Sequence, residues 1–187
     1  YNIMKKVSLT ENWEQELLLQ FYKPASGRQS AYICSPLHAE GYEHFLNNMY
    51  AARFYMYYVQ HYLGYLARAP HAYLPLLVND YNLLERELAF SFDLDLLEYS
   101  DKVLVCGERL SHGMAAEINY AVDHHKQIEV FHPALYEKIK DIVEKRSEGY
   151  DSLEWNNTHP LLGCLWPQIL AGNREGGDCH EELLLPR

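Results

Sequence analysis

Four short apolar runs recur along the chain, "AYICS" at 31–35, "YLARAP" at 65–70, "KVLVC" at 102–106 and "QIEVF" at 127–131, and helical periodicity fills the stretches between and after them. This alternation restricts the fold more than any other feature. Consecutive strands separated by a helix and short connections lie side by side as parallel neighbours joined by right-handed crossovers, with helices on both faces of the sheet. The fold class expected is therefore α/β: a three-layer, doubly wound, largely parallel sheet of the Rossmann or flavodoxin-like kind. Ligands bind such sheets in the crevice beyond the strands' carboxyl ends. The loops that follow each run are where chemistry is to be sought.

A long helix is predicted over 44–66, because Phe45, Met49, Ala52, Met56, Val59, Leu63 and Leu66 fall at alternating spacings of four and three, one stripe of a 3.6-residue period. Further helices are predicted over about 81–98, with the Asn79-Asp80 pair as its cap, over about 112–125, and over "ALYEKIKDIVEKR" at 134–146. Ahead of the first strand, "LTENWEQELLLQFY" at 9–22 reads as a helix capped by Thr10, and "KPASGRQS" as a linker. The chain thus divides into an N-terminal helix and linker (1–29), an α/β domain (30–146) and a C-terminal extension (147–187). The extension's apolar part, through "LLGCLWPQIL", should pack on something, and "AGNREGGDCHEE" should be mobile.

With 187 residues, 48% of them hydrophobic and 22% charged, the chain can bury one proper core as a soluble protein. No apolar run approaches the ~20 residues needed to span a bilayer, so no membrane partner is expected. A formal net charge of −10 excludes a polynucleotide partner, since nucleic-acid affinity comes largely from clustered Lys and Arg. It leaves room for a small anion held by a helix N-terminus and one Arg. Cys34, Cys106, Cys164 and Cys179 have no close paired spacing, which points to a reduced, cytoplasmic protein rather than a disulfide framework. Cys164, Cys179 and His180 are the only metal-like grouping; without a CxxC or HxxxH pair, neither metal nor cofactor is expected. The sequence opens on Tyr1, so a preceding segment is expected to be missing, and the opening stretch contains no signal peptide.

Two carboxylates stand in odd places. On the 81–98 helix, Glu87, Ser91, Asp95 and Glu98 share a narrow polar face. Asp93 instead falls in the middle of an apolar arc of Leu88, Ala89, Phe90, Phe92, Leu96 and Leu97, with Arg86 two turns away on the same side. A carboxylate there needs an ion pair with Arg86, other hydrogen bonds or a wet cavity. On the 112–125 helix, Met114, Ile118, Ala121 and Val122 form the buried stripe and Glu117 sits at its edge, half inward. Glu117 is either an acid favoured by the helix dipole or a carboxylate lifted over the strand ends beside a second one, as acid/base or nucleophilic chemistry at a sugar carbon requires.

The text "AYICSPL", "APHAYLP", "ERELAFSFDLDLLEYSDKVLVCGERLSHGMAAEINYA" and "KQIEVF", about residues 31–131, resembles the nucleoside 2-deoxyribosyltransferase superfamily, and within it the DUF4406 branch. The resemblance implies that Glu117, in the motif E-[IL]-x-x-A, is a nucleophile attacking C1′ of a (deoxy)ribosyl group and releasing a free base. It implies that Asp93 protonates or orients that base and that Tyr32 hydrogen-bonds the nucleophile. Where nucleoside transferases carry an Asp that grips the 5′-hydroxyl, this chain has Ser111, as do relatives that hydrolyse nucleoside 5′-monophosphates, although the first loop carries Glu40 and Glu43 instead of a basic Gly-rich stretch. Arg109 or Arg53 would have to help hold a phosphate.

The remaining ligand-facing positions are expected in the same loops: Ser35 and His38 after the first strand, His71 after the second, and Ser111, His112, Gly113 and Met114 after the third. A loop His is more often a solvated or hydrogen-bonded residue than a catalyst, and "SHG" lacks the G-x-S-x-G elbow of a serine hydrolase. The functional expectation is an enzyme that cleaves or exchanges the N-glycosidic bond of a nucleoside or nucleotide. A silent nucleotide-binding module of the same fold and an interaction protein docking through Trp155 and Trp166 are the alternatives. A homodimer or larger assembly is expected, built on the surplus apolar and aromatic surface of the 44–66 helix.

Overall fold

In the computed structural model of the chain, the described residues are 27–79 and 81–164, with the isolated positions 5–6, 15 and 184–185. The predicted helix at 9–22, the "AGNREGGDCHEE" stretch, Trp166, Cys179 and His180 lie outside them. Five strands, β1 (Ser30–Cys34), β2 (Leu66–Arg68), β3 (Lys102–Val105), β4 (Gln127–Val130) and β5 (Leu153–Trp155), form one sheet in the order β2-β1-β3-β4-β5. Every neighbouring pair is parallel. This is the flavodoxin-like strand order, and its switch point lies between β1 and β3.

Side-chain alternation along the strands explains the layers. Ala31 and Ile33 on β1 and Leu104 on β3 face helix α1 (Tyr42–Tyr58), whereas Tyr32 and Cys34 on β1 and Val103 and Val105 on β3 face the opposite side. That second face is covered by α3 (His112–Asp123), α4 (Pro133–Arg146) and the end of α2 (Leu83–Glu98). Both faces are dry, as a parallel sheet needs.

Three boundaries differ from expectation. The first helix continues from α1 through a π-helical turn, Val59–Leu63, and stops at Gly64, whose φ of 76° is the left-handed conformation that glycine adopts without penalty. Leu66, which the sequence offered both to the helix stripe and to the 65–70 strand, opens β2. The cap of α2 is Asn82, which accepts from the amides of Leu84 and Glu85, while Asn79 accepts from the Tyr81 amide and its own amide donates to Glu85. The core also runs past 146. Three residues of β5 are too few to show a period, yet Leu153–Trp155 pairs with β4, and the following turn, Pro160–Gly163, buries Leu161 and Leu162 against α1. Gly163 is required there, since a Cβ would meet the Phe131 carbonyl oxygen at 2.6 Å.

Helix α2 behaves unlike its neighbours. Only Leu97, near its C-terminus, is fully buried; Leu88 and Phe92 are exposed although the apolar arc predicted them inward, and Leu83 and Leu84, outside that arc, are exposed as well. Conversely α1 buries Tyr55, Tyr57 and Tyr58, so the surplus apolar surface expected on α1 is absent and lies on α2 instead. Among the described residues no helix is long and apolar enough to cross a membrane.

Candidate active site

Beyond the carboxyl ends of β1, β2 and β3, the N-terminal two-thirds of α2 stands over a cavity of about 680 Å³. Its walls come from the loop after β1 (Ser35, Leu37, His38), the turns after β2 (His71, Leu74, Pro75, Val78), α2 (Leu83, Arg86, Glu87, Ala89, Phe90, Asp93) and the start of α3 (Ser111, His112, Gly113, Met114, Ala116, Glu117). A mostly apolar concavity with a few converging polar groups at a switch point is the default ligand site of this architecture.

Glu117 is its most unusual member. The sequence placed it half inward, but it is only 6% exposed, because the face of α3 that packs on β1 extends one residue further than the apolar stripe indicates. The Tyr32 hydroxyl donates to Glu117 Oε1 at 3.0 Å, and the Cys34 thiol also hydrogen-bonds the carboxylate. Burial pushes the Glu117 carboxyl up to about 7; the hydrogen bonds from Cys34 and Tyr32 pull in the other direction and do not win. Burial, reinforced by the nearby Glu117 charge, raises the Tyr32 phenol and the Cys34 thiol well above their ordinary values, so both remain protonated donors. Cys34 was not singled out from the sequence. The usable signal was alternation: on a strand, residue 34 shares the face of residue 32.

Asp93, on α2, is half-buried in the same cavity wall, its Oδ1 shielded from solvent, and its charge helps to raise the Tyr32 phenol and the Cys34 thiol. Arg86, read from the sequence as a structural partner of Asp93, is also in the cavity wall. The cations nominated to meet a phosphate are elsewhere. Arg109 is not part of the wall, and Arg53 donates from Nε to the Ala72 carbonyl at 2.9 Å with its guanidinium over the rings of Tyr50 and Tyr73.

Ser111 caps α3, its Oγ accepting from the Met114 amide at 3.2 Å. The Met114 amide is therefore already taken, which leaves the amides of His112 and Gly113 at this helix start for an anion. His71 is buried and hydrogen-bonded, its Nε2 lying 2.7 Å from Ser35 Oγ. Burial pushes this imidazole down to about 4, so it is neutral at physiological pH. Among the described residues no group of three His, Cys, Asp or Glu is placed to hold a metal ion.

Residues 29–131 match a domain of unknown function, DUF7768. This match gives the narrower DUF4406 placement no support of its own. No curated protein matches the chain. A solved structure, described as a 2-deoxyribosyltransferase from the psychrotolerant bacterium Bacillus psychrosaccharolyticus, is 18% identical and similar over 84% of this chain and 98% of its own, with a TM-score of 0.47. That likeness is too loose to transfer a residue's role.

Proposed function

The chain belongs to the DUF7768 family, whose function is unknown, and from that premise we propose that it cleaves or exchanges the N-glycosidic bond of a nucleoside, nucleoside 5′-monophosphate or related nucleotide. The observation that carries this reading is the buried Glu117 carboxylate, held by Tyr32 and opening on a cavity that a second carboxylate, Asp93, also lines. Two acids in different surroundings divide the labour of glycosyl transfer. Ionised Glu117 attacks C1′ as the bond to the base breaks, giving a glycosyl ester. Asp93 supplies or steers the proton that the departing base takes up. Water or a second base then attacks C1′ and returns the Glu117 carboxylate. Tyr32 and Cys34 fix the carboxylate's orientation, and desolvation leaves its ionised form a stronger nucleophile than a hydrated one.

A 5′-phosphate would lie toward Ser111, a neutral cap whose neighbours His112 and Gly113 bring first-turn amides to the cavity wall. A second reading, a nucleotide-binding module without turnover, has one observation on its side: with its carboxyl near 7, much of Glu117 is protonated at neutral pH. Incubation with a panel of nucleosides, their 5′-monophosphates and NAD, followed by chromatography for free base, separates the two. Release of base that Glu117→Gln abolishes is the expected result; tight binding of intact ligand with no release is the binding module's signature.

The assembly proposed is a homodimer or larger, now through α2. Leu84 and Leu88 are 77% and 65% exposed on the helix that roofs the cavity, with Leu77, Tyr81 and Phe92 beside them, a larger apolar run than a monomer's surface normally leaves open. Sedimentation at micromolar concentration should show a species heavier than the 21.9 kDa chain, reduced to the monomer by Leu84→Asp with Leu88→Asp. A wild-type monomer would remove this part of the proposal.

A further inference from the structure

The cavity wall contains a polar pair that the steps above do not use. Ser35, at the end of β1, and His71, in the turn after β2, are both almost completely buried, and their 2.7 Å contact joins the loops of two adjacent strands. A hydroxyl offers one donor and two acceptor sites and a neutral imidazole one of each, so the mutual bond leaves Ser35 with hydrogen-bonding capacity for a ligand in the cavity it lines. Apolar side chains of similar size would fill the wall without the desolvation penalty of burying two polar groups. Because burial keeps His71 uncharged, the pair is suited to reading a neutral hydroxyl rather than a phosphate or a carboxylate.

Its position says which hydroxyl. Ser35 directly follows Cys34, which with Tyr32 holds the Glu117 carboxylate, so the pair stands at the end of the cavity where C1′ must lie. Ser111 is six residues before Glu117 on α3, about 9 Å away along the axis at 1.5 Å per residue, at the end suited to the 5′ substituent. The sugar hydroxyl nearest C1′ is the one on C2′. We propose that Ser35, held by His71, recognises the 2′-hydroxyl, so that the chain selects ribosyl over 2-deoxyribosyl ligands; this rests on the N-glycosidic reading of the same site.

The experiment compares uridine with 2′-deoxyuridine and adenosine with 2′-deoxyadenosine, by base release on the wild type and by calorimetric binding on Glu117→Gln, which leaves the ligand intact. The wild type should favour the ribonucleoside at least ~10-fold in kcat/KM, and Ser35→Ala should shrink that ratio to within about threefold. His71→Gln should shrink it in the same direction, and covers the case in which Ser35→Ala does not fold. Base release with equal or deoxy-favouring rates overturns the inference and leaves the N-glycosidic reading standing, as does a ratio unchanged in both folded variants. Ribo-selective binding lost in Ser35→Ala, without any base release, sinks the catalytic reading and upholds the recognition. No binding and no release with any of the four nucleosides or their 5′-monophosphates overturns both.

Discussion

Two glutamates, Glu117 on α3 and Glu129 on β4, are buried to nearly the same degree, 6% and 7% exposed, on opposite faces of one sheet. Their surroundings differ. Glu129 has a cation, with Lys102 Nζ 3.4 Å from Oε2, and Asn156 donates to its other oxygen. Lys102 is held in turn by the Tyr65 hydroxyl at 3.1 Å and sits over the Tyr65 ring. Glu117 has two weakly acidic donors, Tyr32 and Cys34, and its proton affinity is raised. Burial therefore does not distinguish the two carboxylates; the partner set does. A sealed ion pair holds strands together, whereas an acid kept short of positive charge and opened to a cavity is held in a reactive state.

The same substitution at each site should break this comparison if it is false. Glu117→Gln keeps an oxygen for Tyr32 and removes the proposed nucleophile, so base release should fall at least ~1,000-fold; retained activity would sink the assignment. Glu129→Gln leaves the Lys102 ammonium buried without its counter-charge and should destabilise the fold by about 3–5 kcal/mol in chemical denaturation. A loss below about 1 kcal/mol would mean that Tyr65 and water suffice for Lys102.

The stability effect at Glu117 should have the opposite sign, and pH reveals it. A carboxyl raised from 4.5 to about 7 binds its proton more tightly folded than unfolded, so its ionisation removes stability progressively as pH rises from about 4.5 to 7. At ~1.4 kcal/mol per pH unit that amounts to roughly 3 kcal/mol. His71 runs the other way. Lowered from 6.5 to about 4, it favours the fold increasingly as pH rises from 4 to 6.5, which largely masks Glu117 in the wild type. The difference between Glu117→Gln and wild type cancels His71: near zero at pH 4.5, it should reach about 3 kcal/mol in the mutant's favour by pH 8. A mutant no more stable than wild type at pH 8 would place Glu117 among ordinary structural acids. Activity per folded wild-type molecule should fall below pH 7 as Glu117 gains its proton.

The strand–helix alternation made the sheet, its parallel sense and its ligand-bearing edge legible, because hydrophobic period and short connections are local properties. The side chains at that edge were legible as a group, and Tyr32 meeting Glu117 follows the implied pairing. What escaped depended on tertiary placement. The exposure of Leu84, Leu88 and Phe92 follows from α2 touching the body mainly through its end, which its own periodicity does not encode. The burial of Glu117 and His71 depends on β1 and β2 closing around them, and Arg86 could be placed only once α2 was set over the cavity. Strand β5, three residues with a polar middle, carried no local signal.

The smallest effect expected comes from placing a further carboxylate on the open side of the comparison, beside Glu87, Asp93 and Glu117. Ser111→Asp should leave the fold intact, since Asp is as good a helix cap as Ser and its carboxylate can accept from the Met114 amide as Ser111 Oγ does. The helix dipole favours the new charge by a few tenths of a kcal/mol. If a 5′-phosphate lies against the amides of His112 and Gly113, the added charge repels it at close range, and among the described residues Arg86 is the only Lys or Arg in the cavity wall to offset this. A nucleoside 5′-monophosphate should then lose about 2 kcal/mol of binding, roughly 30-fold, while the parent nucleoside loses almost nothing. The selectivity should shrink as salt is raised, because this cavity is open to solvent. Equal losses for both ligands would mean that Ser111 meets no phosphate, and the substrate would then be sought among nucleosides.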